Sequence, residues 1–218
     1  MPAAPVFRVA IVSDIHYASL AEQQRPDYFL AGIASRVGRT LLQFHRHYLW
    51  LRDPFAHNCL LDEFIAQAGD PDLVVANGDY SCDTAFIGVS DAAACQSARE
   101  CLDRLRQRFG ARFEATVGDH ELGKTSMGGG LGGLRLASVH RLQPELGLRP
   151  FWQRSVGRYV LMGVTSTLLA FPVFELEALP EERAEWHRLR EQHLAEICRA
   201  LDALTAEQRL VLFCHDPT

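Results

Sequence analysis

Four short clusters of aspartate, histidine and glutamate are the part of this 218-residue sequence that could carry out chemistry. They are spread along the chain, and each follows a run of apolar residues. The clusters are Asp14-Ile15-His16, Asn77-Gly78-Asp79, Gly118-Asp119-His120-Glu121 and His215-Asp216. Carboxylate oxygens and imidazole nitrogens are the ligands expected for paired divalent cations, with a carboxylate bridging the two. The clusters together therefore predict a metal site.

Each cluster taken alone has an ordinary structural explanation. A strand-end aspartate such as Asp14 often caps a turn, and Asn77-Gly78-Asp79 is a common turn sequence. Asp14 and His16 are nevertheless two residues apart, so an extended backbone would point both side chains to one side. Gly78 would let the backbone turn sharply and leave Asp79 projecting beyond the sheet. Four such clusters in one chain are difficult to assign to turns alone.

Short apolar runs predict β-strands, four of them directly in front of the clusters, and the runs at residues 6–13 and 73–76 are expected to be buried. They are brief and rich in β-branched residues, and each ends at turn-forming or polar residues. The predicted strands cover residues 6–13, 73–76, 112–117, 158–165 and 209–213. Ligand sites of α/β sheets collect at the carboxyl ends of the strands, which is where these clusters stand.

Between the strands, apolar residues recur at helical spacing. The predicted helices cover residues 28–50, 55–68, 91–109, 134–146 and 181–204. For the third of them, Ser90-Asp91 provides a capping sequence and Gly110 a stop. His187 and His193, on the last predicted helix, are expected at the surface. The alternation of strands and helices predicts an α/β fold.

Composition narrows the class of protein. Hydrophobic residues make up 48% and charged residues 22% of the chain, which predicts a folded domain with a substantial core. The net charge of -5 argues against general nucleic-acid binding, whereas a metal ion could still attract a phosphorylated substrate. The six cysteines form no Cys-x-x-Cys pair and predict no disulfide framework. No run of about 18 apolar residues is present, so we expect no membrane span and a cytoplasmic location.

The order and spacing of the clusters resemble the calcineurin-like metallophosphoesterase superfamily. The resemblance extends from Val6 to the last residue and matches Asp-x-His, Gly-Asp, Gly-Asp-His-Glu and a strand that ends in histidine. It implies one domain over residues 1–218, an α/β fold of two packed β-sheets flanked by helices in αββα layers. It also implies hydrolysis of a phosphoric monoester, diester or pyrophosphate by a hydroxide held between two metal ions such as Mn, Fe or Zn. The substrate would be a phosphorylated small molecule or a lipid-like one.

Carried over residue by residue, the resemblance also implies a ligand set. Asp14 and His16 would bind the first metal, and Asp79 would bridge both metals. Asp119 would bind the second metal together with His215. The superfamily usually has asparagine at the position of Asp119. The additional carboxylate lowers the net charge of the centre, so we expect a weaker Lewis acid or a preference for an iron-containing pair.

Two further residues have catalytic roles by the same resemblance. His120 would protonate the leaving group or steady the phosphoryl oxygens, and Glu121 would orient His120. The superfamily's last motif, Gly-His-x-His, is absent from this sequence. We therefore expect the chain to be part of a longer protein, truncated at its C-terminal end. By itself it is expected to bind metals poorly and to show little activity.

The segment of residues 35–57 carries four arginines and one aspartate. A solvated helix face is the simplest interpretation. The alternative is a cap in which Arg39 and Arg46 attract an anionic substrate. Gly128 and the glycines after it predict a loop near the site rather than a dinucleotide fingerprint, because no strand precedes them. A non-catalytic binding protein of the same fold, or a different metallohydrolase, remains an alternative to the phosphoesterase.

Overall fold

A computed structural model describes residues 6–24, 33, 35–45, 48, 57–82, 87–125 and 132–216. Six β-strands lie within these ranges: β1 Val9–Val12, β2 Leu73–Asn77, β3 Phe113–Thr116, β4 Phe151–Val156, β5 Tyr159–Val164 and β6 Arg209–Phe213. The same ranges contain nine α-helices: α1 Leu20–Gln23, α2 Arg36–His45, α3 Asn58–Gln67, α4 Ala92–Phe109, α5 Asp119–Leu122, α6 Leu136–Leu146, α7 Ser166–Leu169, α8 Phe171–Phe174 and α9 Arg183–Asp202. No helix in this described part is long and apolar enough to cross a membrane.

The strands form two three-stranded sheets, so the protein has the predicted α/β class. The first sheet has the order β1-β2-β3 and is wholly parallel. In the second, β5 pairs antiparallel with β4 and parallel with β6. Parallel pairing places the carboxyl ends of β1, β2 and β3 at one edge of the first sheet.

The alternation of side chains along β2 organises the core into layers. Val74 and Ala76 pack on one face against α4, in the largest cluster of buried apolar residues. Leu73 and Val75 point to the other face and meet Trp152 of the second sheet. On the far face of the second sheet, residues of β5 pack against α9. The resulting order is helix, sheet, sheet, helix, because the central strands β2 and β5 bury both of their faces.

Helix α4 confirms the predicted capping. The Asp91 carboxylate accepts the backbone N–H of Ala94 at 3.0 Å, and the helix ends at Phe109 with Gly110 at a positive φ of 56°. A side-chain acceptor at the N-cap and a glycine after the last turn both satisfy free backbone groups. These local signals are sufficient to define the ends of the helix.

Strand β4 was not predicted, and the expected alternation of strands and helices is wrong at this point. It forms a hairpin with β5 through Gly157, which has a φ of 57°. Trp152 is buried on one face, but three polar residues, Gln153 to Ser155, follow it directly. Those polar residues conceal the period-two pattern that indicates a strand.

The prediction of a buried strand is wrong for β1, and β6 is exposed as well. Both are edge strands, and they border a cleft of about 970 Å³ that opens between the two sheets. Ile11 of β1 is 56% exposed, and Val211 and Leu212 of β6 are also exposed. An apolar sequence therefore did not distinguish a central strand such as β2 from an edge strand, because both are rich in β-branched residues.

His193 was expected at the surface of the last helix, but it is only 3% exposed. Its Nε2 accepts the backbone N–H of Thr165 at 3.1 Å, which ties α9 to the end of β5. Burial lowers the pKa of His193 from 6.5 to about 4, because the apolar surroundings disfavour the imidazolium. His193 is therefore a neutral core residue near neutral pH.

This burial predicts a pH-dependent loss of stability. In the unfolded chain His193 binds a proton near pH 6.5, whereas in the folded chain it does so only near pH 4. The stabilisation from the neutral, buried His193 is therefore complete above pH 6.5 and is lost as the pH falls from 6.5 to 4. The loss amounts to about 3 kcal/mol of unfolding free energy. Denaturant unfolding of wild type and His193→Gln at several pH values should show a flatter dependence for the variant. His140→Gln, at an exposed position, should retain the wild-type slope.

Candidate metal centre

The predicted metal-binding residues lie together at the carboxyl ends of the strands. Asp14 follows β1 and Asp79 follows β2, and α5 after β3 begins with Asp119. His215 reaches the same place from the end of β6 in the second sheet. The parallel order of the first sheet explains the convergence, because three strand ends meet at one edge.

Asp79 is the centre of this group. Its Oδ2 atom lies 3.1 Å from Nε2 of His215, 3.6 Å from Nε2 of His120 and 3.9 Å from Nε2 of His16. Its Oδ1 atom accepts the backbone N–H of His120 at 3.1 Å. Asp79 is only 3% exposed. One carboxylate oxygen is thus held by the backbone while the other faces three imidazoles.

The backbone at the site is left-handed, which corrects the expectation of an extended Asp14-x-His16. Asp14 has a φ of 53°, His16 of 48° and Asp79 of 59°. Such values cost energy for residues other than glycine and concentrate at functional sites. The two side chains therefore converge through a tight turn after β1 rather than through strand geometry.

Gly78 and Gly118 are required by the close approach of the loops. Gly78 has a φ of 90°, and a Cβ atom there would lie 2.7 Å from Cγ of His215. At Gly118 a Cβ atom would lie 2.3 Å from Oδ1 of Asp79. A side chain at either position would displace a candidate ligand, so the sequence prediction for Gly78 is confirmed and has a steric reason.

Two of the imidazoles are oriented by backbone carbonyl groups. The carbonyl of Asn77 accepts from Nδ1 of His215 at 2.7 Å, and that of Ser81 accepts from Nδ1 of His16 at 3.3 Å. Because a carbonyl can only accept, the hydrogen is on Nδ1 in both rings. Nε2 of each ring is therefore directed at Asp79, in the arrangement typical of histidines that bind metals.

The charges at the site favour a cation. Burial opposes the imidazolium of His215, but hydrogen bonds to Asp119 at 3.0 Å and to Asp79 raise its pKa to about 11. The same contact with His215 lowers the pKa of Asp119, although burial acts in the opposite direction. For His16, burial and the neighbouring His120 lower the pKa, which favours the neutral ring that can bind a metal. Positive charge is thus strongly stabilised between Asp79 and Asp119.

Glu121 supports the turn that carries Asp79. Its carboxylate accepts the backbone N–H groups of Asp79 at 3.1 Å, Tyr80 at 2.9 Å and Gly118 at 2.8 Å. Burial, and then the charge of Asp79, raise the pKa of Glu121 to about 8, while the three N–H donors act in the opposite direction. The observed contacts give Glu121 a positioning role toward Asp79, and its expected role toward His120 stays a prediction.

Among the described residues, two groups of side chains could hold a metal ion. One consists of His16, Asp79 and His120, and the other of Asp14, Asp79 and His215. Within each group the candidate ligand atoms lie within 4.8 Å of one another. Asp79 belongs to both, as the predicted bridge would. The grouping of Asp14 with His215, and of His16 with His120, differs from the division that the resemblance implies.

An ion pair beside the site was not predicted. Nζ of Lys124 contacts Oδ2 of Asp216, and the same ammonium group lies 4.7 Å from the centre of the Phe174 ring. The backbone N–H of Asp216 donates to Oγ of Ser166 at 3.1 Å. These contacts join the loop after α5 to the end of β6. No local sequence signal indicates them, because the paired residues are far apart in the chain.

Of the two arginines predicted to bind substrate, Arg39 lies within the described residues and Arg46 does not. Nε of Arg39 donates to the carbonyl of Ile33 at 2.6 Å, so the guanidinium is used in part within its own segment. Arg46 lies outside the described residues, as do Gly128 and most of the predicted glycine-rich loop. Their proposed contacts with substrate stay predictions.

Comparison with known proteins adds no family or activity. No family model matches the chain, and no curated protein matches it. The functional interpretation therefore depends on the arrangement of side chains described above.

Proposed function

We propose that this protein is a metal-dependent hydrolase of phosphoric esters with a calcineurin-like arrangement of two divalent cations such as Mn, Fe or Zn. The observation that carries the proposal is the convergence of three imidazole Nε2 atoms, within 3.9 Å, on one oxygen of the buried Asp79. Aspartate and histidine are the ligands of metallohydrolase centres, and a shared carboxylate is suited to bridging.

The donor set fits cations on three grounds. His16 and His215 direct Nε2 at Asp79 because their Nδ1 atoms donate to backbone carbonyls. The raised pKa of His215 reflects a field that stabilises positive charge. Two groups of potential ligands share Asp79. Cations bound there would polarise a phosphoryl oxygen and lower the pKa of a bound water.

The protein's own groups would perform the remaining tasks. The ring of His120 stands edge-on to that of His16, with centroids 4.7 Å apart, which limits its rotation. From that position Nε2 of His120 would donate a proton to the leaving oxygen. Glu121 holds the turn of Asp79 through three backbone bonds, and so keeps the shared carboxylate in place.

Metal binding and turnover should be measured separately. The chain, stripped with EDTA, would be titrated with Mn²⁺ by calorimetry and then assayed on p-nitrophenyl phosphate, bis-p-nitrophenyl phosphate and pyrophosphate. Because the Gly-His-x-His motif is absent from this sequence, we expect weak Mn²⁺ binding and slow, metal-dependent release of product. His120→Asn should lower kcat by about 10²–10⁴-fold, because it removes a proton donor. It should weaken Mn²⁺ binding as well, because His120 belongs to one of the two groups of candidate ligands. His140→Asn, at an exposed position of α6, is the matched control and should have no effect.

The outcomes separate the alternatives. Failure to bind any divalent cation would contradict the proposal at its first step. Binding without turnover on the three ester classes would favour a non-catalytic binding protein. Turnover that persists in EDTA would point to a different chemistry.

A further inference from the structure

Helix α2 presents an apolar stripe to solvent. Val37, Leu41 and Phe44 follow the spacing of one helix face, and Tyr48 continues the same spacing. These four side chains are between 59% and 70% exposed. The Phe44 and Tyr48 rings lie against each other, with centroids 4.7 Å apart. An amphipathic helix in a globular protein normally turns this stripe toward the core.

The half-buried residues of α2 lie on the side away from the stripe. Gly38 and Leu42 are half-buried, and the backbone N–H of Gly38 donates to Oγ of Ser35 at 3.2 Å. Arg39 is also half-buried and donates to the carbonyl of Ile33. The hydrogen bonds on this side are made within residues 33–39, and the apolar stripe is left exposed.

The stretch of sequence that contains α2 is basic, whereas the rest of the chain is acidic. Residues 35–57 contain four arginines and one aspartate, a net charge of +3. The whole chain has a net charge of -5, so the remaining residues carry -8. Arg36 is exposed at the start of α2, on the polar side of the helix. Arg36 and Arg39 belong to α2 itself, which contains no acidic residue, so the helix that exposes the stripe is basic.

We infer that α2 is a membrane-surface helix, which lies in the headgroup region of an anionic bilayer with Leu41 and Phe44 inserted toward the acyl chains. Exposed aromatic and leucine side chains flanked by arginine are the features of interfacial helices. Anionic headgroups complement the two arginines of α2, Arg36 and Arg39. A ten-residue helix offers less area than the roughly 800 Å² per partner of a stable protein interface. A lipid surface can accept so narrow a stripe. The inference does not depend on the proposed hydrolase activity.

The test is vesicle binding by the whole chain in EDTA, which removes metal-mediated contacts with phosphate. Vesicles of phosphatidylcholine alone would be compared with vesicles that contain about 30% phosphatidylserine. We expect binding to the anionic vesicles and weaker binding in about 0.5 M NaCl. Leu41→Asp and Phe44→Asp should each lower the partition coefficient at least about tenfold. Arg36→Glu should lower binding to anionic vesicles in particular.

The matched control is Leu176→Asp, which changes a leucine that is 84% exposed outside α2 and should leave binding unchanged. Thermal unfolding would verify that the variants fold, as expected for substitutions at exposed positions. Equal binding of wild type, Leu41→Asp and Leu176→Asp would overturn the inference, and so would the absence of binding to anionic vesicles. A dimer in analytical ultracentrifugation that Leu41→Asp dissociates, with no vesicle binding, would assign the stripe to a second copy of the chain instead.

Discussion

Asp79→Asn should lower the affinity of the protein for Mn²⁺ by about a thousandfold and remove any metal-dependent hydrolysis. The substitution keeps the shape of the side chain and leaves an oxygen that can accept the N–H of His120. It removes the negative charge shared by both groups of candidate ligands. At an effective dielectric constant of about 20, a unit charge about 4 Å from a divalent cation is worth about 8 kcal/mol. The expected thousandfold loss, about 4 kcal/mol, is smaller because the amide oxygen can still bind the cation.

The matched control for Asp79 is Asp103→Asn, the same chemical change on the exposed side of α4. Asp103 is 62% exposed and contacts Arg106 one turn along the helix. Its replacement should alter neither Mn²⁺ affinity nor turnover, since such surface ion pairs contribute little. Calorimetry would compare the two variants, and circular dichroism would verify that both fold. If Asp79→Asn bound Mn²⁺ as tightly as Asp103→Asn, the shared-carboxylate centre would be wrong.

The parts of the fold that could be predicted are those with local causes. The ends of α4 follow from Asp91 and Gly110, which satisfy the first and last backbone groups of the helix. Strand β6 has the predicted bounds, because a short apolar run between polar residues has few alternatives. The hairpin strand β4 was missed because its polar residues interrupt the alternation. A pattern in the sequence reports burial, and it is weak where a strand is only partly buried.

The candidate site likewise has features that could be predicted from the local sequence and features that could not. The types of the ligands and their positions at strand ends could be predicted, because each cluster stands directly after an apolar run. The left-handed conformation of Asp14 and His16 could not, since it follows from the contacts of this turn. The backbone N–H of His16 donates to the backbone carbonyl of Asp79 at 3.0 Å, although the two residues are more than sixty positions apart in the chain. Similarly, nothing near Glu121 in sequence indicates that it accepts the N–H of Tyr80. The supporting contacts depend on tertiary packing.

Gly78→Ala should destabilise the fold and displace His215 at the same time. The φ of 90° is unfavourable for alanine, and the new methyl group would lie 2.7 Å from Cγ and Nδ1 of His215 and 2.8 Å from Cα of Gly118. We expect a loss of roughly 2–5 kcal/mol in unfolding free energy, from backbone strain and overpacking together. The molecules that still fold should bind Mn²⁺ more weakly, because the ring of His215 must move away from Asp79.

Gly69→Ala separates backbone strain from the contact with His215. Gly69 has a φ of 65°, close to the left-handed region, but a Cβ atom there would have no neighbour within 4 Å. Its replacement should cost about 1–2 kcal/mol from strain alone and leave Mn²⁺ affinity unchanged. Denaturant unfolding and calorimetry on both variants provide the comparison. Equal destabilisation by the two substitutions, with Mn²⁺ affinity unaffected in both, would mean that Gly78 serves only the turn. The close approach of Gly78, the residue after β2, to the ring of His215 would then have no part in holding the candidate ligands.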